Sequence, residues 1–296
     1  MSKNQPTKIL VLGHRGFLGR HVINELRGVD CEDTPIMVCG VDRVEQKWKF
    51  PPGSCKYDMK AHINGALGNH LEFFRPHVVI NCAGQADAGL CQADPDRSWW
   101  DNVFVTQVAI SIALQYECSR LVTASSAAVY TDTASVYARD KMVAEWQAMN
   151  TKVPTVFAMR LFNLYGPGAN HGVIARWAKS YARGERVRLE GSGRQTRDFI
   201  HVVDAARAMI QGAIGVLSEE PIRIAFDIGT GVETSLNQVR ELMGIPEEQM
   251  IHAPAGYGPD GSVANPKHAK NYIDFEATQT VESNIPLQID FARKNL

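Results

Sequence analysis

The chain has 296 residues, 45% of them hydrophobic and 21% charged, with a formal net charge of −1. So even a balance suits a globular protein and offers no broad electrostatic attraction to nucleic acid or an anionic membrane surface. No apolar run approaches the roughly 20 residues of a membrane span, and the opening MSKNQPTKIL has no secretory apolar region, so a cytoplasmic protein is expected.

Lys8–Leu12 reads as a strand and Gly16–Leu26 as a helix. Between them runs Gly13-His14-Arg15-Gly16-Phe17-Leu18-Gly19, a G-x-x-G-x-x-G turn. Glycines there let the backbone approach a pyrophosphate, and the helix N-terminus favours its charge. Pro35–Val41 is the next strand and Asp42 ends it. An acid at that point accepts hydrogen bonds from ribose hydroxyls and repels a 2′-phosphate, which favours NAD over NADP; Arg43 softens the preference. Asp58-Met59 falls in a short turn, where the aspartate also suits a plain turn or N-cap role. His77–Asn81 and Arg120–Ala124 are further strands, separated by a helical stretch over about 98–116 in which Trp99 and Trp100 read as helix-packing aromatics. Six cysteines (31, 39, 55, 82, 91 and 118) show no Cys-x-x-Cys and no pairing with histidine, so buried reduced thiols and no metal site are expected.

The small-polar run Ser125-Ser126-Ala127-Ala128-Val129-Tyr130 precedes Tyr137 and Lys141. At i and i+4 these two share one face of a helix, where the ammonium is expected to lower a phenol pKa from its usual value of about 10. Beside a nicotinamide, such a tyrosine removes a hydroxyl proton while hydride leaves the same carbon, which is alcohol–ketone redox chemistry. Thr155–Arg160 follows as another strand. Short apolar strands with helical crossovers predict an α/β fold, a Rossmann-type doubly wound parallel sheet. Past Tyr165, glycine, proline and arginine become frequent, as in Gly166-Pro167-Gly168 and Gly191-Ser192-Gly193-Arg194. The expected organisation is an NAD-binding domain over 1–165 and a smaller substrate-binding lobe over 166–296, their boundary interleaved. Arg197-Asp198 reads either as a local ion pair or as a substrate contact, and His201, in an apolar run, as structural.

From about residue 8 to 213 the chain resembles the extended short-chain dehydrogenase/reductases, in the NAD-dependent epimerase/dehydratase group that acts on nucleotide sugars. The glycine turn, Asp42, Asp58-Met59, Asn81-Cys82-Ala83-Gly84, Asn102, the serine run and Tyr137-x-x-x-Lys141 occur in family order. Arg160-Leu161-Phe162-Asn163-Leu164-Tyr165-Gly166-Pro167 and Arg197-Asp198-Phe199-Ile200-His201-Val202 complete the set. The resemblance implies that Tyr137 is the general acid/base, that Lys141 lowers its pKa and contacts the nicotinamide ribose, and that Ser126 hydrogen-bonds the sugar hydroxyl. Gly13, Gly16, Phe17, Leu18 and Gly19 would hold the pyrophosphate, Asp42 and Arg43 the ribose and Asp58-Met59 the adenine. Ala83, Gly84 and Asn102 would line the cofactor, while Asn163 and Arg197 would hold the diphosphate of a nucleotide-diphosphate sugar.

In the family's dehydratases an Asp-Glu pair follows the Ser/Thr of the strand-end motif; Ala127 and Ala128 stand here, which disfavours dehydration. The sugar 4-epimerases resemble the chain best, implying a 4-keto sugar formed and reduced again on NAD. A NADH- or NADPH-dependent ketone reductase would need the same triad. A non-catalytic dinucleotide-binding regulator is a third reading, opposed by the intact Ser126, Tyr137 and Lys141. Three positions depart from the epimerases: the loop over 131–136 is short, Thr131 replaces a glycine, and Tyr257 replaces a phosphate-binding arginine. A homodimer, paired through helices over about 98–116 and 137–150, is also implied.

Overall fold

Residues 6–28, 35–42, 71–131, 135–215, 220–254 and 260–295 are described in the computed structural model of the protein. The apolar runs become strands β1 (Thr7–Leu12), β2 (Ile36–Val41), β3 (Val78–Asn81), β4 (Arg120–Ser126) and β5 (Thr155–Leu161). With β10 (Ile222–Ile228) they form one six-stranded sheet in the order β10-β5-β4-β3-β1-β2, every pair parallel. The strand pleat sends alternate residues to opposite faces. Ile9 and Val11 thus meet α1 (Phe17–Gly28), while Leu10 and Leu12 enter a second core on the other face. Both faces are buried, which is why the strands read as continuous apolar runs rather than alternating ones.

The helical stretch expected over 98–116 is not one α-helix. After α2 (Ala88–Ala93) it consists of the end of α3 (Pro95–Trp99), a π-helical turn over Trp100–Phe104 and α4 (Val105–Gln115). The wide turn is stitched by the Thr106 hydroxyl, which donates to the Asn102 carbonyl at 3.0 Å. Trp99 and Trp100, expected as packing aromatics, remain 42% and 54% exposed, Trp100 meeting the Phe104 ring edge-on at 4.5 Å. α5 (Val136–Met149) follows, capped by the Ser135 hydroxyl.

After the short β6 (Asn163–Tyr165) come α6 (Val173–Ala182), β7 (Val187–Glu190), β8 (Thr196–Arg197), β9 (Phe199–His201) and α7 (Val202–Ile214). β11 (Thr234–Ser235), α8 (Leu236–Leu242), β12 (Met250–Ala253), α9 (Lys267–Ile273) and α10 (Val281–Lys294) complete the chain. A third core of Trp177, Leu189, Val239, Ile285 and Ile289 gathers α6, β7, α8 and α10. α7 and β10, although from beyond residue 165, pack into the central sheet and its core. His201 is 6% exposed and its Nδ1 accepts from the Val203 amide, the structural place its apolar run implied. Among the described residues no helix is long and apolar enough to cross a membrane.

Candidate active site

In parallel sheets of this kind ligands bind outside the carboxyl ends of the strands, where the turns after β1, β3 and β4 lie. Gly13 leaves β1 with φ of 75°, its amide donating to the Val41 carbonyl at 2.8 Å and its carbonyl accepting from Gly16 at 3.0 Å. A Cβ on Gly13 would lie 2.7 Å from the Ala83 Cα, so only glycine fits both the turn and its neighbour. Phe17, Leu18 and Gly19 open α1 directly behind this turn. Asp42 follows the last residue of β2, and its Oδ2 accepts the Arg15 amide at 3.0 Å. Bare backbone at a helix N-terminus with an acid at the next strand end fits a dinucleotide's pyrophosphate and ribose. Arg43, Asp58, Met59 and Tyr257 lie outside the described residues.

The turn after β3 supplies the opposite wall. Asn81, 1% exposed, accepts from the Ala83 amide at 3.2 Å and donates to the Thr123 hydroxyl at 3.2 Å. Asn102 was expected to face the cofactor. It is 0% exposed, and its amide is engaged with the Gln85 N–H (3.2 Å), Ser98 Oγ (3.4 Å) and Cys91 Sγ (3.7 Å). The structure thus makes it the support of the Ala83–Gln85 turn. A Cβ on Gly84 would stand 2.9 Å from Asn102 Oδ1 and 3.2 Å from Lys141 Nζ, so the bare backbone lets both side chains close on it.

Ser126, Tyr137 and Lys141 meet at the end of β4. The Ser126 hydroxyl accepts the Ala128 amide at 3.1 Å and hydrogen-bonds the Tyr137 phenol. Lys141, 7% exposed, donates to the Ala124 carbonyl at 3.1 Å, with Nζ 6.0 Å from the Tyr137 ring centre. Burial pushes Lys141 down to about 8 and Tyr137 up to about 12. Desolvation dominates, and the contact favouring the phenolate comes from Ser126.

At the far end, Asn163 and Arg197 are partly buried on adjoining short strands. Both the Asn163 backbone amide (3.1 Å) and its side-chain amide (2.9 Å) donate to the Asp198 carbonyl. The ion-pair alternative for Arg197-Asp198 gives way to another pattern. The buried Asp198 carboxylate accepts the amides of Thr230 (2.9 Å), Gly231 (2.8 Å) and Ala264 (3.2 Å). Arg197 donates to the Thr196 carbonyl at 2.7 Å and feels the charge of Asp260, while burial lowers its pKa.

Sequence reasoning missed Glu145. It follows Tyr137 and Lys141 on the same helix face at the same spacing, a signal available from periodicity. Its carboxylate accepts the Ser125 hydroxyl at 2.7 Å and is held by the Arg160 guanidinium at 2.6 Å. Among the described residues there is no cluster that could hold a metal ion, and Cys82, Cys91 and Cys118 are thiols outside any disulfide.

Residues 9–213 match the model of the NAD dependent epimerase/dehydratase family. The UDP-glucose 4-epimerase of Mycolicibacterium smegmatis is 26% identical over 279 residues, covering 83% of this chain and 86% of its own. A crystal structure of UDP-glucose 4-epimerase with UDP-glucose, from Thermotoga maritima, superposes with a TM-score of 0.82 at 24% identity over 97% of this chain and 99% of its own. MoeE5, solved with UDP-glucuronic acid and NAD, superposes with a TM-score of 0.81 at 26% identity over 98% and 100%.

Proposed function

The chain belongs to the NAD dependent epimerase/dehydratase family, and from that premise we propose that it is a nucleotide-sugar epimerase working through a transient 4-keto sugar. The observation that supports this most is the meeting of Ser126, Tyr137 and Lys141 beside the glycine turn, with alanine at 127 and 128. Ser126 holds the sugar hydroxyl and Tyr137 takes and later returns its proton. Without cofactor a phenol pushed up to about 12 is protonated at neutral pH, the form that gives a proton; taking the sugar's proton needs the phenolate. NAD supplies the hydride acceptor and a cationic ring, and positive charge beside a phenol favours its ionisation. Lys141, near 8, carries most of its charge at pH 7 and holds the Tyr137 helix against β4 through Ala124.

Asn163 and Arg197 anchor the diphosphate, Arg197 by the planar fork that suits phosphate oxygens. That anchor keeps the ketone bound while the sugar turns and hydride returns to its opposite face. Asp42 favours NAD over NADP. No carboxylate follows Ser126 to expel a neighbouring hydroxyl, which argues against dehydration. A homodimer belongs to the same reading: Trp99, Trp100, Leu114, Met142 and Trp146 expose large apolar surface on α3, the π-turn, α4 and α5. The unbridged thiols of Cys82, Cys91 and Cys118 suit the reducing cytoplasm.

The test is proton NMR of the anomeric region in heavy water, with NAD and a panel of UDP-, GDP- and dTDP-sugars. A second anomeric signal is expected, formed without deuterium uptake at carbon and lost in Tyr137→Phe. Stoichiometric oxidation of added NADH or NADPH, with no anomeric interconversion, would replace the epimerase by a ketone reductase.

A further inference from the structure

We infer that Tyr130 and Asp227 are positioning residues that tie the Ser126 turn, at the sugar end of the site, to segment 260–265 beside Arg197, at the phosphate end. The kinetic arm of this inference rests on the function proposed above; its structural arm does not.

Three residues in register carry the tie. Ser125 on β4 and Asp227 on β10 both stand opposite Arg160 on β5. Arg160 forks Glu145, with Nε at 3.0 and 3.2 Å and Nη2 at 2.6 Å, and Ser125 Oγ donates to the same carboxylate. Its other arm donates to the Tyr130 hydroxyl at 2.6 Å, and that hydroxyl donates to Asp227 Oδ1 at 2.6 Å. A single guanidinium thus brackets the turn from both ends, through Ser125 just before Ser126 and Tyr130 at its close.

Tyr130 is not present for burial. Its residue is 58% exposed, with one ring face 4.8 Å from the Arg160 guanidinium carbon. An aromatic left largely in solvent while its hydroxyl makes two charge-assisted hydrogen bonds contributes a tether more than a packing surface.

Asp227 passes the tie across the site. Its Oδ2 accepts the Asn265 amide at 2.9 Å, and the segment before Asn265 runs alongside the Arg197 strand. The Asp260 carbonyl accepts the Thr196 amide (2.8 Å), the Ser262 carbonyl accepts the Asp198 amide (2.8 Å), and the Ala264 amide donates to the Asp198 carboxylate (3.2 Å). A sugar that turns while its diphosphate stays put needs Ser126 and Arg197 at a constant separation, and this chain of contacts spans them.

Tyr130→Phe removes one oxygen from an exposed side chain, and Asp227→Asn is an independent second variant. Hydrogen exchange read by mass spectrometry, without any sugar, is the first readout. Amides of 127–131 and of 262–265 should both exchange roughly tenfold faster, since a lost charged hydrogen bond costs about that factor in local opening. Acceleration confined to 127–131 would overturn the tie, because a merely local role moves only that turn. In turnover, kcat should fall roughly tenfold with KM nearly unchanged, as for a misplaced but still binding site; equal losses in binding and turnover count against it. If the wild-type protein converts no nucleotide sugar, the proposed function fails, and the exchange result alone decides the tie.

Discussion

The two ends of the site are held together in opposite ways. Around the glycine turn most bonds run from main chain to main chain, Gly13 to Val41, Gly16 to Gly13 and Cys82 to Leu12, with the Asp42 carboxylate accepting the nearby Arg15 amide. Across the C-terminal segments, three aspartates 8% exposed or less reach remote backbone instead. Asp198 holds Thr230, Gly231 and Ala264, Asp204 holds Thr278 and Gln279, and Asp227 holds Asn265. The cofactor half is shaped by close approach, so its requirement is steric and falls on glycine. The other half is irregular chain whose amides need acceptors, so its requirement is electrostatic and falls on buried carboxylates.

That contrast can be broken or sharpened at several positions. The largest effect is expected at the seam: Tyr137→Phe should lower kcat roughly a thousandfold by removing the acid/base, with NAD binding by calorimetry retained. Next, Asp198→Ala should cost about 3 kcal/mol of stability, because it strips a charged acceptor from several amides at once. Urea unfolding reads this, and an unchanged midpoint would deny the aspartates their holding role. Gly13→Ala should act on both folding and binding. Strain at a positive φ should cost about 1–3 kcal/mol of stability, read by urea unfolding, and displacement of the Ala83 turn by the new Cβ should weaken NAD binding. A variant that binds NAD normally would show that close approach is not what the turn requires.

The smallest effect is a pH slope. Lys141 titrates near 8 in the folded chain and near 10.4 when unfolded. Between those values the unfolded chain binds the extra proton, so stability without added NAD should rise from pH 8 toward 10. Tyr137, raised to about 12, holds its proton more tightly when folded and reverses the trend above about pH 10. Lys141→Met should flatten the rise and add about 1 kcal/mol at pH 7 by removing a buried charge. Melting temperatures across that pH range decide it; an unchanged slope assigns the rise to other groups.

The signals that the sequence offers for the cofactor half are short-range. A glycine spacing, an acid at a strand end and a Tyr–Lys pair one helical turn apart each describe geometry within a few residues. Glu145 was equally legible by its spacing from Lys141, and was missed because its partners Ser125 and Arg160 belong to other elements. The place of Asn102 was not readable at all: nothing local distinguishes an amide facing a ligand from one supporting the turn behind it.

The order of apolar strands and helical crossovers determined the parallel sheet, and local residue chemistry marked the positions proposed for a dinucleotide and a redox centre. Tertiary structure alone decided that burial pushes the Tyr137 phenol up while the Ser126 hydrogen bond pulls it down, because desolvation depends on everything packed around a group. It alone decided that Asp198 serves backbone amides rather than Arg197, and that Arg160 and Asp227 stand in one row with Ser125. Those partners lie tens of residues apart in the chain, and only the register of β4, β5 and β10 brings them within hydrogen-bond reach.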